Sequence, residues 1–144
     1  CLLCVLTALS SNSGILINYL FFIGLSIFII GFSIEIIADQ QKTVFRKDPS
    51  NKDKFISSGL WAYSRHPNYL GEILLWSGIA IMSISSLEGL QYITLISPLF
   101  VYILLVYISG IRILENQGLK KWGHLDSYRN YLKNTPRLFF RFFG

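Results

Sequence analysis

Charged residues are scarce in this sequence. Only 15% of its 144 residues are Asp, Glu, Lys or Arg, whereas 52% are apolar. A soluble domain carries about a quarter charged residues, and a chain of this length cannot bury so many large apolar side chains in one core. The composition therefore argues against an ordinary soluble domain and predicts that much of the chain lies in lipid.

Cysteine and histidine are also scarce. Cys1 and Cys4 are the only cysteines, and His66 and His124 are the only histidines. Two cysteines cannot build a disulfide framework, and these residues do not make a zinc ligand set, so we expect no metal site. The two cysteines could form a redox pair, but their apolar setting favours two small apolar membrane residues.

Three apolar runs are long enough to cross a bilayer as helices, which takes about 20 residues. They cover about 15–37, 70–87 and 89–111, and the stretch 1–9 is interpreted as the remnant of an earlier span. The last two runs are so close together that we expect a tight antiparallel hairpin. The sequence predicts an all-α fold, with one membrane domain over 1–144. That domain is a polytopic transmembrane helical bundle, expected to be the N-terminally truncated C-terminal part of a longer protein.

All 13 basic residues fall on one side of this topology. Six lie in the loop 39–69 and seven in the tail after the last run, whereas the opposite loop contains only Glu88. The positive-inside rule therefore predicts that the loop and the tail are cytosolic. The net charge of +5 does not point to nucleic acid, because no basic, aromatic-rich face lies apart from the membrane. The expected partners are membrane lipid and a lipid-like small molecule, and no obligate protein partner is evident.

Glycines recur at helical spacing. Gly24 and Gly31 are seven residues apart, as are Gly71 and Gly78. Small residues on one face allow membrane helices to approach closely, which predicts helix packing. Gly71 could instead admit a ligand, because it adjoins a polar motif.

That motif begins the second run and reads Arg65-His66-Pro67-Asn68-Tyr69-Leu70-Gly71-Glu72. Proline suits the first turn of a helix, so the motif predicts a helix N-terminus with Arg65 and His66 beside it, a setting that suits a phosphate or carboxylate. Asn68 and Glu72 share one helical face. An acid inside an apolar run usually faces a cavity or a partner. The alternative is that Glu72 lies at the interface and pairs with a basic residue.

Two further polar groups reach the same membrane surface. Glu35 and Asp39 end the first run, and Glu115 follows the third, with Tyr128 and Tyr131 on a short helix beyond it. The three groups together predict a cavity that opens to the cytosol and is closed by short cytosolic helices. Acids and aromatics under a basic rim would suit a large anionic or nucleotide-like cofactor.

Several segments, in order from about 31 to 137, resemble the steroid 5-alpha-reductase-like membrane family. The similarity is greatest to its bacterial branch of formerly unknown function. It is carried by Glu35-Ile36-Ile37-Ala38-Asp39-Gln40-Gln41-Lys42, Gly59-Leu60-Trp61, the motif 65–72, Ser109-Gly110-Ile111 with Leu114-Glu115, and Tyr128 to Pro136. The Arg-His-Pro-x-Tyr-x-Gly core also resembles a sister group of isoprenylcysteine carboxyl methyltransferase-like and phospholipid methyltransferase-like enzymes.

The resemblance implies an oxidoreductase that uses NADPH to reduce a C=C bond in a steroid-, isoprenoid- or lipid-like substrate. The alternative is a methyltransferase that uses S-adenosylmethionine, and a third possibility is a non-catalytic membrane scaffold. The substrate-activating residues of steroid reductases lie in N-terminal spans. No catalytic residue is therefore named here, and this stretch alone is expected to be insufficient for activity.

The resemblance also implies roles for individual residues. Asn68 and Glu72 match positions that hold the nicotinamide end, with Asp39 in the same neighbourhood. The phosphates would be held by Arg46, Arg65 and His66, and the closing tail contains Tyr128, Tyr131 and Arg137. With residues of the polar groups added, the predicted cofactor-binding set is Asp39, Arg46, Tyr63, Arg65, His66, Asn68, Tyr69, Glu72, Glu115, Tyr128, Tyr131 and Arg137.

Overall fold

The structure of the protein is a computed structural model, which describes residues 16–108 and 110–140. Over these residues the chain is helical and contains no strand, so the all-α prediction is confirmed. The stretch 1–9, interpreted as the remnant of an earlier span, lies outside the described residues. The α-helices are α1 (Tyr19–Lys47), α2 (Pro67–Ser83), α3 (Ser97–Ile103), α4 (Ile111–Trp122) and α5 (Asp126–Asn134).

Shorter helical turns connect these elements. The loop between α1 and α2 contains the 3₁₀-helices Pro49–Asn51 and Gly59–Ala62. Two more 3₁₀-helices, Ile84–Ser86 and Gly89–Ile96, lie between α2 and α3, and a π-helical turn, Leu104–Ile108, follows α3. In the described ranges, three helical stretches are long and apolar enough to cross a membrane: Tyr19–Lys47, Pro67–Ser86 and Gly89–Trp122. The chain is therefore an integral membrane protein with several spans.

Helix α1 continues well beyond the predicted end of the first apolar run at residue 37. The segment from Ala38 to Lys47 has no proline or glycine, so nothing in it stops the helix. Asp48 leaves helical geometry one residue before Pro49 and caps the following turn, where its carboxylate accepts a hydrogen bond from the amide of Ser50 at 2.8 Å. Hydropathy marked the lipid-compatible part of α1, but the helix projects further and carries polar side chains out of the membrane.

The third apolar run is not one regular helix. It begins as the 3₁₀-helix Gly89–Ile96, becomes α-helical at Ser97 and widens to π-helical geometry at Leu104–Ile108. Helix α4 then starts at Ile111 and runs on to Trp122, well past the predicted end of the run at 111. This continuation carries Glu115 beyond the apolar run to the membrane surface.

Glycines fasten α1 to α2. A methyl group on Gly24 would lie 2.6 Å from the carbonyl oxygen of Gly78, and one on Gly71 would lie 2.7 Å from the carbonyl oxygen of Gly31. The two helices are therefore antiparallel and in backbone contact at both levels. A methyl group on Gly71 would also lie 2.6 Å from the amide nitrogen of Glu35, so Gly71 has no space there for a ligand and serves packing.

The opposite end of this helix pair is closed by polar contacts. Asn18 caps α1 by accepting hydrogen bonds from the amides of Leu20 and Phe21, and it donates to the Ser85 hydroxyl at 2.6 Å. The outward side of α1 exposes large apolar side chains, including Phe22, Ile29 and Ile30. Such a surface is suited to lipid or to another membrane helix.

Candidate functional site

A cavity of about 270 Å³ lies where the last turns of α1, the start of α2, and helices α4 and α5 meet. The loop between α1 and α2 forms its remaining wall. Its lining residues are Lys42, Phe45, Arg46, Lys54, Phe55, Ile56, Trp61, Arg65, His66, Asn68, Leu114, Glu115, Gln117, Gly118, Lys121, Trp122, Tyr128, Tyr131 and Leu132. The cavity thus lies at the end of the bundle that carries the basic residues.

Seven of the twelve predicted cofactor-binding residues line this cavity: Arg46, Arg65, His66, Asn68, Glu115, Tyr128 and Tyr131. The other five lie elsewhere. Tyr63 is 53% exposed on the loop, and the Tyr69 ring stacks on His66 with 5.7 Å between centroids. Arg137 contacts Glu115 from outside the lining, and Asp39 and Glu72 are not among the lining residues.

Among the described residues that line the cavity, Glu115 is the only acid, and it joins three segments. One carboxylate oxygen lies 2.8 Å from Arg65 Nη1 at the start of α2, and the other lies 2.9 Å from Arg137 Nη2 in the C-terminal segment. The first oxygen is also 3.7 Å from His66 Nε2. The side chains of Arg65 and Glu115 are only 16% and 14% exposed, so this pair is largely withdrawn from water.

Three buried polar atoms of this cluster make no hydrogen bond within the described part of the chain: Arg65 Nε, His66 Nε2 and Glu115 Oε1, the last of which keeps its ion pair with Arg65. A buried polar group without a partner is costly, which indicates that a ligand or water meets these atoms. Burial lowers the pKa of His66 to about 4, and the neighbouring charges of Arg65, Lys42 and Arg137 act in the same direction. His66 is therefore neutral near pH 7.

The C-terminal segment closes the site by backbone and side-chain contacts. Ser64 donates its hydroxyl proton to the carbonyl of Leu138 at 2.7 Å, and the amide of Arg65 donates to the carbonyl of Pro136 at 3.0 Å. Tyr131 donates its hydroxyl proton to the carbonyl of Trp61 at 2.7 Å. These contacts hold Arg65 and the tail in one arrangement around the cavity.

The loop is fastened to α1 as well. The indole N–H of Trp61 donates to the carbonyl of Ala38 at 3.1 Å, and the amide of Leu60 donates to the side chain of Gln41 at 3.0 Å. The ammonium of Lys42 lies over the Trp61 ring, 5.4 Å from its centroid. These interactions bury the Trp61 ring and hold the loop that connects α1 and α2 against α1.

Phe55 stands at the centre of a cluster of aromatic rings that the sequence did not reveal. Its ring centroid is 4.9 Å from that of Tyr128, 5.4 Å from that of Tyr131 and 6.1 Å from that of Trp122. Burial raises the pKa of Tyr128 and that of Tyr131, so both phenols stay protonated and uncharged. Four rings from three segments therefore form one apolar surface of the cavity.

Lys54 and Lys121 are further lining residues that sequence reasoning missed. Both are among the basic residues that the sequence predicts on one side of the membrane. That prediction indicates their side, but it does not distinguish them from the neighbouring basic residues. Phe55 had no comparable signal, because a single aromatic residue in a polar loop has no periodicity. Only the tertiary fold identifies these three residues.

Glu35, Asp39 and Glu72 form a second polar group, between α1 and α2 and apart from the cavity lining. Their charges act on one another, and those of Asp39 and Glu72 also act on Tyr69. The contact of Gly71 with the backbone of Glu35 brings Glu72 close to Glu35. Among the described residues, no three Asp, Glu, His or Cys side chains lie close enough together to hold a metal ion.

Comparison with known proteins identifies the chain's relatives. The family model described as "Protein of unknown function (DUF1295)" matches residues 1–135. A probable O-methyltransferase, ustE of Ustilaginoidea virens, is 36% identical over 62% of the chain and 32% of its own length. The Delta(14)-sterol reductase TM7SF2 of Mus musculus is 28% identical over 75% of the chain and 27% of its own length.

A second Delta(14)-sterol reductase, erg24A of Aspergillus fumigatus, is 34% identical over 58% of the chain and 23% of its own length. The chain thus covers between 23% and 32% of these three relatives. No solved structure matches it. Since the family model spans almost the whole chain, the protein belongs to the DUF1295 family, which is the steroid 5-alpha-reductase-like family.

Proposed function

We propose that this chain is the cofactor-binding part of a membrane-embedded reductase that uses NADPH to saturate a C=C bond in a steroid-, isoprenoid- or other lipid-like substrate. Its sterol reductase relatives support the reaction class. The observation that carries the proposal is the composition of the cavity wall. Within the part of the chain that the structure describes, five cationic residues and one acid line the cavity, so its field attracts an anion.

The lining fits a phosphorylated nucleotide. Lys42, Arg46 and Arg65 supply cationic donors, and the unpartnered Arg65 Nε offers one of them at a buried position. Charge-assisted hydrogen bonds from such groups to phosphate are stronger than neutral ones. The cluster around Phe55 provides aromatic surface beside these donors. Phosphate donors and ring surfaces are the two features that recognition of a dinucleotide requires.

The residues present indicate what the cofactor would supply and what the protein would supply. NADPH supplies the hydride when bound, and the protein's part is to bind it, orient it and exclude water. Arg46 and Arg65 would hold phosphate oxygens, and Asn68 would orient the nicotinamide end at the start of α2. His66 is neutral and buried, so it can offer a hydrogen bond without adding a second positive charge beside Arg65. Glu115 fixes the guanidinium of Arg65.

A methyltransferase that uses S-adenosylmethionine is the second candidate, and the O-methyltransferase relative supports it. S-adenosylmethionine carries a sulfonium cation and no phosphate. A cavity with five cations and a single acid is therefore a poorer electrostatic match for it than for NADPH. The single acid, Glu115, is already engaged by two arginines.

Ligand-dependent thermal stabilisation of the purified full-length protein separates the two candidates. A ligand that binds only the folded state stabilises it by about 2.7 kcal/mol at a hundred times its Kd. NADPH is expected to raise the Tm and S-adenosylmethionine to leave it unchanged. Stabilisation by S-adenosylmethionine alone would overturn the reductase proposal, and stabilisation by neither would favour a non-catalytic scaffold.

Arg46 and Lys47 offer a matched pair for the same assay. They are neighbours in the last turn of α1 and lose the same charge on substitution by alanine, but only Arg46 lines the cavity. Arg46→Ala is expected to weaken NADPH binding by about tenfold, the effect of losing one charge-assisted contact. Lys47→Ala should leave the affinity within about twofold, so equal losses would contradict the assigned site.

A further inference from the structure

Helix α4 has two faces of different character. The residues of one face line the cavity: Leu114, Glu115, Gln117, Gly118, Lys121 and Trp122. The opposite face consists of Arg112, Ile113, Asn116, Leu119 and Lys120, which are exposed and do not belong to the lining. At 3.6 residues per turn these five side chains fall within about 120° of the helix circumference. We term this surface the outer face of α4.

The outer face begins at the membrane surface. Ile111, the first residue of α4, is fully buried and packs in one apolar cluster with Leu70. Because the apolar run of α2 begins at Leu70, Ile111 lies at the level where α2 enters the membrane. Tyr107 and Ile108, at the end of the preceding span, are both exposed and continue its lipid-facing surface. Arg112 therefore stands at the level of the lipid headgroups.

The positive charge of the outer face has no counter-charge from the protein. In residues 16–108 and 110–140, the side chains of Arg112 and Lys120 form no ion pair. The outer face contains no acid. The acid nearest to Arg112 along the helix, Glu115, lies on the cavity face and is engaged by Arg65 and Arg137. An anion that meets Arg112 therefore has to come from outside the described chain.

We propose that the membrane-proximal end of the outer face, formed by Arg112, Ile113 and Asn116, binds the headgroup of an anionic phospholipid in the adjacent leaflet. The planar guanidinium of Arg112 matches the geometry of a phosphate, and the Asn116 amide lies one helical turn beyond it. Exposed Ile113 beside these polar groups suits the apolar edge of the headgroup layer. Continuity with the lipid-facing surface of the preceding span favours a lipid over an acidic protein as the occupant.

Binding of single phospholipids to the purified full-length protein tests this site. Native mass spectrometry without any cofactor would compare phosphatidylglycerol with zwitterionic phosphatidylcholine of the same acyl chains. Phosphatidylglycerol is expected to bind more tightly, with an advantage that shrinks as the salt concentration rises. Arg112→Gln should lower its affinity by about fivefold, the effect of one basic residue at an anionic membrane surface. Phosphatidylcholine affinity should stay within about twofold, and Arg112→Lys should retain most of the binding.

Lys120→Gln is the matched control. Lys120 lies on the same face of the same helix, but eight residues further along, which is about 12 Å from Arg112. This distance exceeds the Debye length of about 8 Å at physiological ionic strength, so Lys120→Gln should change phosphatidylglycerol affinity by less than about twofold. Equal losses in the two variants, or no loss in Arg112→Gln, would overturn the site. Ile113→Ser should weaken both lipids alike, because it removes apolar contact and no charge.

Photo-crosslinking in cell membranes identifies the occupant of the surface. The photoreactive residue p-benzoylphenylalanine, placed at Asn116 of the full-length protein, is expected to form an adduct with the mass of a phospholipid. The same residue placed at Gln117, on the cavity face, should form no phospholipid adduct. An adduct with another protein at Asn116, or no lipid adduct there, would contradict the lipid site. Neither experiment involves a cofactor, so the result is independent of the proposed function.

Discussion

At the scale of single residues, Glu115 is the most connected side chain of the site. It is 14% exposed and pairs with Arg65, at the start of α2, and with Arg137, in the C-terminal segment. Removing the acid would leave Arg65 largely buried without a counter-charge, and this is more costly than losing an exposed pair. Glu115, which the sequence predicts as a cofactor-binding residue, therefore also pairs with two of the protein's own arginines.

Glu115→Gln is expected to lower the free energy of unfolding by about 2 kcal/mol, less than a fully buried pair because Arg137 is 54% exposed. Chemical unfolding in detergent micelles would measure it. The control is Asp126→Asn, which breaks the exposed pair with Arg129 and should change stability by less than about 0.5 kcal/mol. Similar losses in both variants would show that the Glu115 ion pairs contribute no more to stability than an exposed ion pair does.

His66 makes the stability of the protein depend on pH, and the burial of its side chain determines the sign of that dependence. Its folded-state pKa is about 4, below the ordinary value of 6.5. Between these values the unfolded chain binds more protons at His66 than the folded chain does. Stability should therefore fall as the pH drops from 6.5 towards 4.

His66→Gln removes this titrating group and should flatten the dependence of Tm on pH within that window. Thermal unfolding between about pH 7 and about pH 5 would measure the difference from the parent protein, which cancels contributions from the carboxylates. His124→Gln, at an exposed position of the loop before α5, is the matched control. If the two histidine variants have the same pH profile, the buried neutral state of His66 is wrong.

At the scale of elements, the α1–α2 pair is the framework to which the site is attached. Interlocked glycines set its register, and that register fixes how far Arg65 and His66 stand from the end of α1. The close approach is a backbone contact, so no side-chain rearrangement can relieve a larger residue at the interface.

Gly24→Val tests this register far from the cavity. Its new side chain would begin 2.6 Å from the carbonyl of Gly78, and overpacking of this kind costs about 1–3 kcal/mol. Ser26→Val, two residues along and exposed, introduces the same side chain without a steric conflict. Detergent unfolding should therefore separate the two variants. Equal stability would mean that the helices do not meet at Gly24.

Other features of the elements were predictable only in part. The motif 65–72 correctly indicated a helix that starts at Pro67, because proline at the first turn is a local preference. The ends of α1 and α4 were not predictable from hydropathy, which reports compatibility with lipid and not helix continuation. Both helices leave the apolar region and carry Arg46 and Glu115 to the cavity.

At the scale of the whole molecule, the described basic residues cluster towards one end of the bundle, which is also the end that contains the cavity. We propose that this end faces the cytosol, as the positive-inside rule predicts. Substrate and cofactor would then reach the protein from different phases, a lipid-like molecule from the membrane and a nucleotide from water.

Single-cysteine labelling in whole cells would test this orientation. In a background with Cys1 and Cys4 replaced by serine, Lys52→Cys should react with a membrane-impermeant maleimide only after the membrane is permeabilised. Glu88→Cys, in the loop at the opposite end, should react in intact cells. The reverse pattern would place the cavity outside the cytosol and contradict the proposed access of NADPH.

The sequence by itself determined that the protein lies in the membrane, is helical and concentrates positive charge at one surface. These properties follow from the amino-acid composition and from which residues are neighbours in the sequence, and both are the same in any fold. The motif from Arg65 to Glu72 also marked one edge of the site, because its helix start is a local feature.

Only the tertiary structure decided which of these residues share a cavity. Arg65 meets Glu115, and Tyr131 bonds to Trp61 across 70 residues of sequence. The tertiary structure also brings Lys54 and Phe55 into the lining, whereas Asp39 and Glu72 are not lining residues. The physical reason is that such contacts depend on how α4, α5 and the tail pack against the loop, and no local pattern along the chain encodes that packing.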